Sequence, residues 1–186
     1  MEPLPHTAAL LIIDVQKAID HPSWGRRNHP EAEQQIAALL RARRETGRPI
    51  YHVRHDSVEP ASHYRPGQPG HEFKPEAQPL AGETIIAKQT NSAFIRTDLE
   101  TRLRGAGQTT LVICGVITNN SVEATVRMAG NLGFRVFLAE DACFTFGRRH
   151  WQGQFHSASD VHAMSLANLD GEYCAVVRTG DILKAL

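Results

Sequence analysis

The sequence predicts an α/β fold, a three-layer α/β/α sandwich around a mostly parallel, doubly wound, six-stranded sheet. Three observations carry this reading. Short continuous apolar runs of strand length recur along the chain, and none alternates cleanly, as expected of strands covered on both faces. Helical patterns lie between them, which gives repeated βα units. The length of 186 residues suits a single domain, 1–186, large enough to bury a substantial core.

The first run, Ala8 to Ile13, reads AALLII and ends at Asp14. Glu31 to Thr46 places Ile36, Leu39, Leu40 and Arg43 on one helical stripe, and Gly47 and Pro49 close it. Pro49 to Val53 is the second run. The stretch from Asp56 to Gly82 holds Pro60, Pro66, Pro69, Pro75 and Pro79. It is long for plain linkage inside a compact domain and reads as a functional loop. Thr84 to Ala87 is the third strand, followed by Lys88. Thr97-Asp98-Leu99-Glu100 resembles a capping box ahead of Leu99 and Leu103, with Gly105 as the stop.

Thr110 to Val116, TLVICGV, is the best strand in the chain. Asn119 to Leu132 then aligns Val122, Val126, Ala129 and Leu132 on one helical face that ends at Gly133. Arg135 to Ala139 is the fifth strand and Tyr173 to Val177 the sixth. Between them, Asp160 to Leu169 is helical, with Ser157 and Ser159 as candidate caps. A short helix from Gly180 closes the chain. Right-handed crossovers place helices on both sheet faces.

Composition excludes several classes of function. Lys plus Arg is 20 and Asp plus Glu is 20, so the net charge is zero. This argues against a nucleic-acid partner. The cysteines, Cys114, Cys143 and Cys174, are odd in number and lack C-x-x-C spacing. Neither a disulfide scaffold nor a zinc ribbon is indicated, and a reducing compartment is expected. The opening MEPLPHTAALLIIDVQ has no basic n-region followed by a cleavage site, and no stretch approaches the roughly 18 apolar residues of a membrane span. A cytoplasmic protein with no membrane partner follows as the expectation. Neither G-x-G-x-x-G nor a Walker A sequence occurs, so no nucleotide cofactor is expected.

Sites in open α/β sheets form outside the carboxyl ends of the strands. Asp14 sits at such an end after six apolar residues, where a carboxylate is costly unless paired or exposed in a cleft. Lys88 ends the third strand. Ser121 follows GVITNN after the best strand, in the first turn of the predicted helix, where free backbone N–H groups can hold an anion or oxyanion. Taken singly, Asp14 also reads as a loop cap, Lys88 as a surface lysine and Ser121 as a serine of the N-cap region. They converge only if their strands are neighbours.

These same residues carry a resemblance. LLIIDVQ at Leu10 to Gln16, KQTNSAF at Lys88 to Phe94, LVICGVITNNSVEATVRMAGNLGF at Leu111 to Phe134 and AEDAC at Ala139 to Cys143 together resemble the isochorismatase-like hydrolase superfamily, also called the cysteine hydrolases. The resemblance spans nearly the whole chain. It implies Asp14 and Lys88 as catalytic residues, and it aligns Ser121 with the usual nucleophilic cysteine. None of the three cysteines replaces that residue in sequence. Cys114 and Cys174 fall within strands and read as core, and a structural role is favoured for Cys143.

In the family a cysteine thiolate attacks an amide carbonyl or related C–N centre. The aspartate moves the proton, the lysine stabilises charge, an amine leaves, and water hydrolyses the acyl enzyme. By match, the oxyanion donors are Ile117 and Ser121, beside a cis Val116–Ile117 bond. A serine hydroxyl is far less acidic than a thiol and needs a stronger base arrangement. Three readings therefore stand: a hydrolase of a small non-peptide amide or related bond through Asp14, Lys88 and Ser121; a hydrolase using activated water, with Ser121 as polar lining; and an impaired member that only binds a small molecule.

Relatives that hydrolyse nicotinamide hold a metal on an Asp-x-His pair and a later His. The matching strand end here reads YHVRHD, with His52, His55 and Asp56, and lacks that pair, so neither a metal nor another cofactor is expected. Trp24, His55, Phe94 and Asn119 are the candidate substrate-binding residues. For His55, Phe94 and Asn119 the alternatives are capping or packing roles. The resemblance also implies a homo-oligomer, a dimer or tetramer.

Overall fold

A computed structural model describes residues 1–186. Strands β1 (Ala9–Ile13), β2 (Ile50–His55), β3 (Thr84–Lys88), β4 (Thr110–Val116) and β5 (Arg135–Phe144) are followed by a small ribbon of β6 (Arg148–Arg149) and β7 (Phe155–His156), then β8 (Ala175–Val177). The main sheet has six strands in the order β3-β2-β1-β4-β5-β8, and every pair in it is parallel. The chain starts in the middle, winds out to β3, then returns beside β1 and winds the other way. The switch point between β1 and β4 is where such sheets open a crevice.

Helices α1 (Ala32–Glu45), α2 (Leu99–Gly105), α3 (Glu123–Asn131), α4 (Ala158–Ala167) and α5 (Thr179–Lys184) flank the sheet. Helix α1 contacts α5. Across the molecule, α2 reaches α3 through Arg104 Nη2, which donates to the Leu132 carbonyl at 2.7 Å. No helix is long and apolar enough to cross a membrane.

The apolar runs become strands because both faces are covered. All residues of β1 and β4 are buried, and each large aliphatic side chain so enclosed contributes about 1.5–3 kcal/mol relative to an exposed one. β3 lies at the sheet edge and buries only alternate residues. Gly115 lets β1 and β4 approach. Its φ is +120°, and a Cβ there would lie 2.2 Å from the Ile13 carbonyl oxygen.

Four local expectations are corrected. The third helix does not begin at Asn119. Thr118–Val122 make one wide turn, with Asn120 off helical geometry at φ −133° and ψ −105°, and regular α3 starts at Glu123. The Thr97 capping box does not form: the helix starts one residue later, with Asp98 in the N-cap place and making no capping bond, while the Thr97 hydroxyl donates to the Ala93 carbonyl at 2.6 Å and accepts from the Leu99 N–H at 3.4 Å. Instead Ser157 and Asp160 form a capping box on α4; Ser159 lies inside that helix. Finally, β5 runs on to Phe144. Its pairing with β4 slips between Ile113 and Gly115, leaving Ala139 to Ala142 without β4 partners. Such bulges re-aim side chains.

Candidate active site

The carboxyl ends of β1, β2, β3 and β4 meet at the switch point. Ile13 pairs with both Val53 and Gly115, and His55 pairs with Lys88. Asp14 leaves β1 with a φ of +54°. Asp14, Lys88 and Ser121 are all buried. Lys88 Nζ donates to Asp14 Oδ2 at 2.6 Å and to Ser121 Oγ at 3.4 Å, and it lies 3.5 Å from His55 Nδ1. A lysine ammonium has three donors and no acceptor, and here it faces three acceptors. Burial, with the Lys88 charge next, holds His55 below its ordinary pKa. A neutral ring protonated at Nε2 leaves Nδ1 free to accept from Lys88.

Asp14 has a second oxygen, Oδ1, that is buried without a hydrogen-bond partner. An unpartnered carboxylate oxygen is costly. Asp14 also lines a cavity of about 470 Å³ together with Trp24, His55, Tyr64, Ile117 and Ser121. The Val116–Ile117 peptide is cis. The Ile117 N–H makes no backbone hydrogen bond outside the regular elements, and Ile117 lines the cavity beside Ser121.

The structure brings Asp14, Lys88, Ser121, His55, Ile117 and Trp24 together. Trp24 is held there by its indole N–H, which donates to the Ala18 carbonyl at 3.0 Å, and by stacking on Phe146 at 5.6 Å. Two expected residues are elsewhere. Phe94 stacks on Phe134 at 5.7 Å in the main core and does not line this cavity. Asn119 accepts from the Thr145 hydroxyl at 2.5 Å and borders a separate groove, while its neighbour Asn120 lines the cavity. The kinked turn decides this, because one residue of rotation exchanges the two asparagines.

Sequence reading missed Tyr64, Glu59 and Gln16. Tyr64, from the Pro-rich loop, packs edge-on against His55 at 5.7 Å. Burial, with the Asp14 charge second, pushes its phenol well above the ordinary value, so it stays a neutral donor. Glu59 comes from the same loop. Gln16 is fully buried. It accepts from the His55 N–H at 2.8 Å and donates to the His55 and His71 carbonyls at 3.1 and 2.9 Å, tying the loop to the end of β2. Only LLIIDVQ itself hinted at that glutamine.

The histidines sort by environment. His52 is buried away from the cavity and bonds Glu83 at 2.8 Å. His71 bonds Asp56 at 2.7 Å. Burial works upward on the Asp56 carboxyl, but bonds from Arg54 and His71 outweigh it and hold its pKa below the usual range. The three cysteines are free and buried. Burial raises all their thiol pKa values, that of Cys174 to about 12, which removes them as thiolate nucleophiles.

Comparison with known proteins bears on the family and the fold. The Isochorismatase domain model matches residues 8–177. An uncharacterised isochorismatase family protein of Bacillus subtilis, YrdC, is 39% identical over 94% of each chain. A streptothricin hydrolase of Streptomyces noursei is 35% identical over 74% of this chain and 50% of its own. The crystal structure of an isochorismatase-family protein from Chromobacterium violaceum, described as a hydrolase, superposes with a TM-score of 0.96. It is 64% identical and covers 100% of this chain and 97% of its own. The six-stranded parallel sheet and the matched span together support a hydrolase-like enzymatic role. This chain belongs to the isochorismatase family.

Proposed function

We propose that the protein hydrolyses a small non-peptide amide or related C–N bond, with Asp14, Lys88 and Ser121 at the reacting centre. One observation carries the reading: from behind the cavity wall Lys88 bonds both Asp14 and Ser121, which line it. Ser121 Oγ attacks the carbonyl carbon, and its proton passes to Asp14. Lys88 holds both groups and balances the carboxylate charge. The N–H groups of Ile117 and Ser121 receive the oxyanion, where fixed donors contribute most to acyl transfer. Asp14 then returns the proton to the leaving amine, and water hydrolyses the acyl enzyme. Ser121 occupies the place of the family's cysteine nucleophile, so Ser121→Cys is expected to raise turnover of simple amides. Trp24 and His55 line the substrate space.

A second reading has its own support. Ser121 Oγ is hydrogen-bonded to Lys88 and not to Asp14, while Asp14 Oδ1 has no partner. A water on that oxygen would be the nucleophile, with Ser121 as lining.

The experiment is turnover and acyl-adduct trapping by mass spectrometry on a panel of small amides. Under the serine mechanism Ser121→Ala loses at least about 10³-fold, as when one member of a catalytic set is removed, and the adduct maps to Ser121. Near-native turnover in Ser121→Ala would establish the water reading. Ligand binding by a wild-type chain that neither turns over nor traps an adduct would leave only a binder. The free buried cysteines support a cytoplasmic setting. Exposed Trp151, Phe155 and Met164 support a homo-oligomer, which sedimentation would check.

A further inference from the structure

Outside the cavity, a second cluster of chemistry lies against the turn that carries Ser121. We propose that His29, Glu140 and His162 form a binding site for one divalent transition-metal ion of the zinc type. The three ligand atoms lie within 4.8 Å of one another. Both His29 Nε2 and His162 Nε2 are 3.7 Å from Glu140 Oε2. Tetrahedral zinc with bonds of about 2.0–2.2 Å sets its ligand atoms roughly 3.4 Å apart. Closing the site therefore needs little movement of the Glu140 pairs.

The hydrogen bonds around the cluster orient it for a metal. His29 Nδ1 is 3.0 Å from the Cys143 carbonyl. A carbonyl only accepts, so Nδ1 carries a proton, and in the neutral ring the Nε2 lone pair faces the cluster. His162 Nδ1 is 2.9 Å from the Thr118 hydroxyl. His162 Nε2 is buried with no hydrogen-bond partner, in a residue only 5% exposed. Buried polar atoms are rarely left so. A backbone carbonyl on the far nitrogen is a usual outer support of a metal-binding histidine, and the Thr118 hydroxyl, which can accept, is placed to support His162 in the same way. Burial first, and the neighbouring His29 second, lower the His162 pKa to about 4, so the ring is neutral and competent as a ligand at neutral pH.

The fold gathers these residues from three elements. His29 precedes α1 with a φ of +41°. Glu140 sits in the stretch of β5 that has slipped out of register with β4. His162 is on α4. The Arg178 side chain is near the other carboxylate oxygen, with Nε 3.3 Å from Glu140 Oε1, so Oε2 stays available. His29 borders a surface cleft with Asn28 and Ser157, the side from which an ion would reach the cluster. A tetrahedral ion held by these three side chains would take water as its fourth ligand. Through Thr118 the ion would brace the turn that ends at Ser121 and Val122.

The test is a zinc titration of the chelator-treated full chain against a chromophoric competitor, with cobalt(II) absorption as the report on geometry. One equivalent with tetrahedral cobalt intensity is expected. His29→Ala and Glu140→Gln should each weaken it by about 100-fold or more, beyond what loss of an outer support does. His29 is partly exposed, so that variant should fold, and circular dichroism verifies this. His71→Ala, at the pair with Asp56, should bind as wild type. No equivalent in the wild-type chain, unchanged binding in His29→Ala, or loss in His71→Ala instead would each overturn the proposal. None of these readings depends on catalytic turnover.

Discussion

Lys88→Met is the sharpest probe of how the site is held. The Lys88 side chain is fully buried, and the Asp14 side chain is 5% exposed. The substitution keeps an unbranched apolar stem of similar reach and removes the charged head. Asp14 Oδ2 loses its bond from Lys88, and Oδ1 already has no partner. Ser121 Oγ and His55 Nδ1 lose the same donor. Breaking a buried ion pair by removing one partner costs about 3–5 kcal/mol, against a total stability of about 5–15 kcal/mol for a typical domain. At this chain length that corresponds to a fall in Tm of roughly 6–20 °C. Urea unfolding measures it, with the m-value checked for constancy. Adding Asp14→Leu removes the stranded carboxylate, so the double variant should recover most of the loss. A single variant within about 1 kcal/mol of wild type, or a double variant worse than the sum of the singles, would refute the claim that the pair is a buried, mutually dependent unit.

Other outcomes follow from the same structure. The unfolded chain takes up the His162 proton near pH 6.5 and the folded chain only near about 4. Between those values the unfolded state binds more protons, so stability falls as pH drops from 6.5 to 4, by about 3 kcal/mol from this residue. Unfolding measured across that range in chelator should show the slope, and His162→Leu should flatten it; an unchanged slope would count against this assignment. His29, Glu140 and Arg178 face the same ring or its carboxylate and are present in both chains of that comparison. Gly115→Ala would push a Cβ to 2.2 Å from Ile13 O and 2.6 Å from Ile13 N. Neither backbone atom can move aside, and a loss of at least about 3 kcal/mol is expected. Gly67→Ala, at φ +83° with open space around it, should cost only about 1–2 kcal/mol. Comparable losses at both positions, read by thermal unfolding, would show that φ and not the close approach governs Gly115.

Much of this protein is local and was therefore readable in its residues. β1 and β4 are uninterrupted apolar runs because both sheet faces are covered; Asp14 stands out because it follows such a run, and Lys88 because it ends the short apolar edge strand β3. Ser121 is marked by its motif. The order of strands is not local, yet it alone makes β1 and β4 adjacent and sets Lys88 against Asp14. The errors fall where geometry departs from regular periods. Helical spacing places Asn119 at the start of α3, but the wide turn Thr118–Val122 faces Asn120 to the cavity instead. Phe94 is apolar and close to Lys88 in sequence, and packing against Phe134 takes it into the core. Tyr64 and Glu59 come from a loop with no periodicity to betray its direction.

Residues 29, 140 and 162 share no motif. The slip in β5 and the docking of α4 bring them together. Sequence by itself determined the strands, the helices and the residues at the strand ends, since burial pattern and turn chemistry act over a few neighbours. Tertiary structure decided which of those ends meet and which side chains face the cavity, because that depends on how distant segments pack.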